Sequence, residues 1–261
     1  MRGRPEAAGT AGRRAGGEGT GGVGETRRDR MRAATIREIS ETARALLVEQ
    51  GPGAVTLRAI AREMGMTAPA LYRYFGSHEE LLRHVVGDIF NEISDELDAG
   101  IRAAPDGDMS TKFLAAARIF RRWSLGHPGE FALLFGAPLP GFGAEGAHDF
   151  AEECARRFGW TFMALFIELW QKRRFPVPAD DEIDPGLREQ LRAYRDGTYG
   201  GVPLPLGVVQ RFLECWTRLL GGVSLEAFRH LDFALADAEP MFELMLADQA
   251  DLLGLTYSPP A

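Results

Sequence analysis

Thr56-Leu57-Arg58-Ala59-Ile60-Ala61-Arg62-Glu63-Met64-Gly65-Met66-Thr67-Ala68-Pro69-Ala70-Leu71-Tyr72-Arg73-Tyr74-Phe75 reads as a helix, a sharp glycine turn and a second helix. Thr56 has the chemistry of an N-cap, and Ala59, Ile60 and Met64 follow it at helical spacing. Gly65 ends that helix and supplies the positive φ of a tight turn. Thr67 starts the next helix, with Pro69 inside its first turn, where the missing N–H costs nothing. Ala61 is small where two helices must cross closely, and Ile60, Met66 and Leu71 can form a shared core. A helix-turn-helix has these needs, because its second helix must project rigidly into a major groove. Thr67 and Ala68 at the start of that helix can approach base edges and phosphates. Tyr72 and Tyr74 can each donate a hydroxyl to a phosphate while their rings brace the helix. The same pattern also suits an antiparallel helix hairpin inside a core domain.

Working outward toward the N-terminus, helical periodicity begins near Arg30, with Ile36, Ile39, Ala43, Leu46 and Leu47 on one face, and Gly51-Pro52 stops it. Residues 1–24 contain nine glycines and little that could pack, so residues 1–28 are expected to be a disordered tail. Its arginines, Arg2, Arg4, Arg13 and Arg14, either brush DNA phosphates or stay solvated. Toward the C-terminus, Ser77 and Glu80 have the spacing of a capping box. Leu81, Val85, Val86, Ile89, Phe90, Ile93 and Leu97 then repeat at helical spacing for several turns. Further helices are expected at Thr111–Gly126, Pro128–Phe135, Asp149–Arg174, Leu187–Arg195, Leu206–Gly221 and Ala238–Leu253. Glycine- and proline-rich loops are expected over 136–147, 176–185 and 196–205. No period-2 strand pattern and no fixed repeat occurs. The expected fold is all-α: a three-helix head over 29–83 and a larger helical domain over 84–261.

The chain has 261 residues, 45% of them hydrophobic, which is ample for a core without staples. Two cysteines exclude a disulfide framework and a four-cysteine zinc site. The net charge of −7 hides an asymmetry. Residues 1–83 carry 14 Arg against 10 Asp and Glu, whereas residues 84–261 carry 16 basic against 27 acidic side chains. A basic N-terminal third on an acidic remainder suits a nucleic-acid-facing module on a body that does not bind DNA. No secretory signal or membrane-length apolar stretch is present, so a cytoplasmic location is expected. His148, Asp149, Glu152 and Glu153 place a histidine and a carboxylate at i and i+4. Beside solvated charge at a helix start, this reads better as capping than as a metal site. His127 and Glu130 could pose as an acid–base pair, but no nucleophile accompanies them, so no catalytic residue, metal or cofactor is expected.

The run from Ala54 to Leu82 resembles the N-terminal DNA-binding domain of the tetracycline-repressor (TetR) family. The resemblance rests on Gly51, Val55-Thr56, Ile60-Ala61, Gly65-Met66-Thr67, Leu71-Tyr72, Tyr74-Phe75 and Ser77-His78-Glu79-Glu80-Leu81. One departure is His78, where members commonly have lysine; histidine is mostly neutral near pH 7 and offers a weaker partner to a phosphate. The stretch His127-Pro128-Gly129-Glu130-Phe131-Ala132-Leu133-Leu134-Phe135-Gly136 also resembles a segment of one actinobacterial-type subgroup of such regulators.

The resemblance implies a homodimeric repressor that binds a palindromic double-stranded operator and is released by a small, largely apolar effector. Carried over, Thr56 and Arg58 would stand beside phosphates at the start of the second helix. Thr67, Ala68 and Pro69 would begin the recognition helix, Tyr72 and Tyr74 would touch groove or backbone, and His78 would cap the fourth helix near a phosphate. Dimerisation would use the Leu206–Gly221 and Ala238–Leu253 helices. The faces expected there are Val209, Phe212, Leu213, Trp216, Leu219 and Leu220, with Met241, Phe242, Met245, Leu246, Gln249, Leu252 and Leu253 opposite.

From the aromatic excess, Trp123, Phe131, Phe135, Phe162, Phe166, Trp170 and Trp216 are candidate effector-pocket residues. Met163, Glu168, Cys215 and Thr217 are candidate polar or soft contacts. Core packing is the competing role for each. A same-fold activator, a regulator answering to a protein partner, and an all-α enzyme are the alternative functions.

Overall fold

The computed structural model describes residues 26–137, 149–198 and 202–260. Among the described residues every regular element is helical. They are α1 (Arg27–Gln50), a 3₁₀ turn (Pro52–Ala54), α2 (Leu57–Glu63), α3 (Ala68–Leu71), α4 (His78–Ala103), α5 (Met109–Gly126), α6 (Pro128–Phe135), α7 (Phe150–Lys172), α8 (Pro185–Thr198), α9 (Leu206–Ala227) and α10 (Glu239–Leu252). Of the tail expected over residues 1–28, residues 1–25 lie outside the described residues, as does most of the expected 136–147 loop, whereas Thr26 caps α1 and Arg27 and Arg28 form its first turn.

Helix α1 starts at Arg27, earlier than its apolar periodicity announces, because Thr26 and Asp29 form a reciprocal capping box. The Asp29 amide donates to Thr26 Oγ1 at 3.2 Å, and the Thr26 amide donates to the Asp29 carboxylate at 3.1 Å. Ile39, Ala43 and Leu47 bury the inner face of α1 in the same core as Leu57, Ile60 and Leu71 of the next two helices. Thr56 Oγ1 accepts the Ala59 amide at 3.1 Å and starts α2. The α2 end is a Schellman turn: the Met66 amide donates to Ala61 O at 2.7 Å and the Gly65 amide to Arg62 O at 3.2 Å. Gly65 sits there at φ +64°, where a side chain would be strained.

Ser77 Oγ accepts the Glu80 amide at 3.0 Å at the start of α4. The return bond of the expected box is displaced by one residue, since the Glu80 carboxylate takes the Gly76 amide at 2.6 Å. Ser77→Ala removes the acceptor and should lower stability by about 1 kcal/mol, read as a fall in the urea midpoint.

Helix α4 buries Leu81, Val85, Val86, Ile89, Phe90, Ile93 and Leu97, and it belongs to both halves of the chain. Its first turns pack under the head; its remainder crosses α7 and α5. The crossing with α7 is close because position 87 is glycine. A Cβ there would lie 2.5 Å from the Phe150 ring and 3.3 Å from Ala151 Cα. Beyond it, Phe120 is fully buried between Phe131, Phe135, Phe158, Phe162 and Trp216, with ring centroids 5.7–6.3 Å away. No helix among the described residues is long and apolar enough to cross a membrane.

Candidate functional site

The head presents the α2–turn–α3 surface to solvent. Regular α-helix in α3 covers only Ala68–Leu71, and Tyr72–Tyr74 continue it as hydrogen-bonded turns, with the Tyr74 amide on Leu71 O at 2.9 Å. Thr67 is exposed and its hydroxyl makes no capping bond. Arg58 and Pro69 are exposed, Ala68 is half-buried, and Tyr72 is 55% exposed. Tyr74 is half-buried and braced: the Arg32 guanidinium lies 5.3 Å above its ring and donates to Arg73 O at 3.3 Å. Arg27 and Arg28 are exposed on the first turn of α1.

His78 is committed inward. Ser77 caps α4, and the His78 Nε2 pairs with the Val55 carbonyl, tying the start of α4 to the loop before α2. Thr56 spends its oxygen lone pair on the α2 cap and keeps its hydroxyl hydrogen for another acceptor.

The body holds a narrow apolar cavity of about 40 Å³ between α5, α7, α9 and α10, room for roughly two or three waters. Of the aromatic residues expected in a pocket, Phe162, Phe166 and Trp216 line it; Trp123, Phe131, Phe135 and Trp170 do not. Phe131 and Phe135 pack into the Phe120 cluster instead. Trp123 is buried and stacked on His127 at 4.9 Å. Trp170 covers Phe175 and carries the Arg174 guanidinium over its face at 4.3 Å.

Among the polar candidates, Cys215 lines the cavity, and burial pushes its thiol up to about 12. Met163 is buried elsewhere, Glu168 pairs with Lys112 and Lys172, and Thr217 is exposed. Sequence reasoning missed Gln249 here. It lines the cavity, is 8% exposed, and its Nε2 is buried without a hydrogen-bond partner. A lone amide among Phe242, Leu246 and Leu253 was the available signal.

The cavity is closed on one side by the chain after α10. Leu253 and Leu255 line it, and the segment is strapped down beyond them. The Thr256 amide donates to Ser110 Oγ at 3.0 Å, Tyr257 Oη to the Glu243 carboxylate at 2.9 Å, and Arg118 to Ser258 O at 2.6 Å.

Many of the residues expected at an intermolecular face are instead interior. Val209, Phe212, Leu219, Phe242, Leu246, Gln249 and Leu253 are buried within the single chain. Leu213, Trp216, Leu220, Met245 and Leu252 are half-buried, and Met241 is 52% exposed. Leu225 and Leu244, not read as surface residues from sequence, are 47% and 58% exposed on α9 and α10.

Head and body are joined by ionic and aromatic contacts. Arg44 of α1 holds Glu92 of α4 through both ends of its guanidinium and donates from Nε to the buried Glu130 of α6 at 3.0 Å. The Arg44 contact keeps the Glu92 carboxyl below its ordinary value. Trp123 Nε1 also reaches Glu92 at 3.4 Å. On the other side, His84 lies between Phe75 of the head and Phe150 of α7, at 5.4 and 4.9 Å. Arg83 pairs with Asp149, which caps α7 through the Glu152 amide at 3.0 Å. His148 of the sequence-read histidine–carboxylate cluster lies outside the described residues, and no group of three potential ligands that could hold a metal occurs among those described. His127 and Glu130 are used separately, His127 Nδ1 on Trp123 O at 2.9 Å and Glu130 on Arg44.

An exposed second helix on a short glycine turn, carried by an all-helical body, defines a helix-turn-helix transcriptional regulator. The family described as bacterial regulatory proteins, tetR family, matches residues 39–85, and the tetracyclin repressor-like C-terminal domain matches residues 113–249. A helix-turn-helix-type transcriptional regulator of Mycobacterium tuberculosis is 30% identical over 192 residues, covering 73% of this chain and 80% of its own. The crystal structure of the regulatory protein SCO4313 superposes with a TM-score of 0.66 at 28% identity, over 87% of this chain and 100% of that one. The fold is also that of RolR in complex with its ligand resorcinol, with a TM-score of 0.51 at 17% identity over 89% of this chain and 97% of that one. The chain belongs to the TetR family and is a DNA-binding transcriptional regulator.

Proposed function

We propose that the protein is a repressor that binds a palindromic operator as a homodimer and is released by a small, largely apolar effector entering the α5–α7–α9–α10 cavity. The observation carrying this reading is the union of an uncommitted α3 face, Thr67 to Tyr72, with an apolar cavity in the same chain, joined through α4. Thr67, Ala68 and Pro69 would face base edges, with Thr56, Arg58, Tyr72 and Tyr74 on phosphates. His78 would act by holding the start of α4. Functionally, residues 29–83 serve DNA and 84–261 serve effector and partner, with α4 running through that boundary.

Dimerisation is supported by the apolar surface that α9 and α10 leave outside the single chain: Leu213, Leu220, Leu225, Met241 and Leu244. A symmetric reader of two half-sites needs such a self-complementary face. A small-molecule effector is preferred over a protein partner because the cavity is narrow and apolar.

Selection of genomic fragments by the purified protein at two salt concentrations should recover a palindrome, with affinity falling steeply as salt rises. On that site Tyr72→Ala and Thr67→Ala should each weaken binding by about tenfold, and Arg58→Ala should lower the salt slope by about one unit. Unchanged operator binding in both Tyr72→Ala and Thr67→Ala would place the DNA elsewhere. Deletion of the gene should raise expression of the target; a fall would make the protein an activator.

A further inference from the structure

We infer that the effector is an uncharged aromatic molecule bearing one hydrogen-bond acceptor, and that Gln249 is the residue that reads it. This rests on the cavity being the effector site. Three observations fix the chemistry.

The first concerns charge. Among the described residues no Asp, Glu, Lys or Arg lines the cavity. An ionised group placed there would lose its hydration with nothing opposite it. Cys215, the other polarisable wall group, is held as the neutral thiol by burial. The cavity therefore selects neutral ligands.

The second concerns shape. Phe166 meets Phe113 edge-on at 5.1 Å and 65°, and Phe212 at 5.3 Å and 85°. Phe162 lies against Trp216 at 5.3 Å. The Phe166 pairs pack edge to face and the Phe162–Trp216 pair is tilted, so an added aromatic ring finds both edges and faces to meet. Ala116 and Ala117 of α5, with short side chains, also line the cavity.

The third concerns the amide. Gln249 stands in the last turn of α10, is more than nine-tenths buried, and has an Nε2 with no acceptor. A buried donor left unpaired is unfavourable, and a ligand carbonyl, ether or phenol oxygen satisfies it. The free protein thus holds one unmet donor on a residue of an otherwise apolar lining, and that donor comes within a ligand's reach as the walls part. An analogue lacking the acceptor occupies the same space but leaves that donor unmet, which is how such sites discriminate between near-isosteres. The present 40 Å³ is too small for a benzene-sized guest, so entry must part the walls. Leu253 and Leu255 are the lining residues that lie beyond the last helix, held by the Thr256 and Tyr257 contacts.

The test uses the full chain, titrated calorimetrically with acetophenone, ethylbenzene and benzoate at pH 7. Acetophenone should bind at least tenfold more tightly than ethylbenzene, and benzoate should not bind. Gln249→Leu should erase the difference while leaving ethylbenzene binding intact. Because the substitution removes an unpaired donor without emptying volume, its thermal midpoint without ligand should equal or exceed that of the native chain. Equal affinities in the native chain, a preference surviving in Gln249→Leu, tight benzoate binding or no binding of any of the three would overturn the assignment. So would a lowered midpoint, since it would show the amide already partnered. Operator titrations with the same compounds separate this from the effector role. Acetophenone bound through Gln249 without weakening DNA binding would sink the effector role and uphold the amide. DNA release by acetophenone and ethylbenzene at equal concentrations would do the reverse.

Discussion

Phe120→Ala is expected to cost about 3–5 kcal/mol of folding stability, the range for emptying an aromatic site in a packed core. Phe120 is fully buried and meets five aromatic rings from α6, α7 and α9. Its neighbours are themselves large and held on different helices, so they cannot easily collapse into the vacancy. The loss combines withdrawn transfer free energy with the contacts the surrounding rings forfeit. Urea unfolding followed by circular dichroism should show a lower midpoint with an unchanged slope. A loss below about 1 kcal/mol would mean that Phe131 and Phe158 relax into the space, and that the cluster is far softer than its geometry implies.

Arg44→Met is expected to cost about 3 kcal/mol, because Glu130 is left as a buried carboxylate facing no cation. Glu130 has only 5% of its side chain exposed, whereas Glu92 keeps 38% and can turn to water. Most of the loss should therefore trace to Glu130, and adding Glu130→Gln to Arg44→Met should recover most of it. Failure of the double variant to recover would assign the effect to the packing of the Arg44 stem. The acid response follows from the same contacts. Arg44 depresses the Glu92 carboxyl from its ordinary value of 4.5, so this contribution is present above that pH and fades as pH falls through the lowered value. The native chain should lose stability over that acidic range more steeply than Arg44→Met, as followed by urea midpoints at successive pH values.

What the sequence made legible is what local chemistry decides. Thr56, Gly65, Pro69 and Ser77 each act within a few residues of their own position, so the helix-turn-helix and the start of α4 could be read directly. The Thr26–Asp29 box was equally local but lay ahead of the apolar periodicity that marked the helix. The cavity was less legible because Phe131 and Phe162 are the same chemistry on the same kind of stripe. Which of them meets a void depends on how α5, α6 and α7 cross, and no residue carries that alone. The outer faces of α9 and α10 were misjudged for a related reason. Both helices have more apolar positions than one face can hold, and the interior takes Phe212, Leu219, Phe242 and Leu246 first. Gln249 was the exception that could have been caught, as a polar side chain where the apolar pattern demanded none.

The missing side chain at Gly87 gives α4 the mechanics of an unequal balance. At the rise of an α-helix, the arm from Gly87 to His78 is about 14 Å and the arm to Ala103 about 24 Å. A stiff rod pivoting at that crossing would turn a displacement of roughly 2 Å at its far end into roughly 1.2 Å at the head. The gearing runs downward in distance and upward in force. If the proposed effector strains the body, α4 would carry a displacement of about 1.2 Å to the head, about a third of the 3.4 Å spacing between stacked bases.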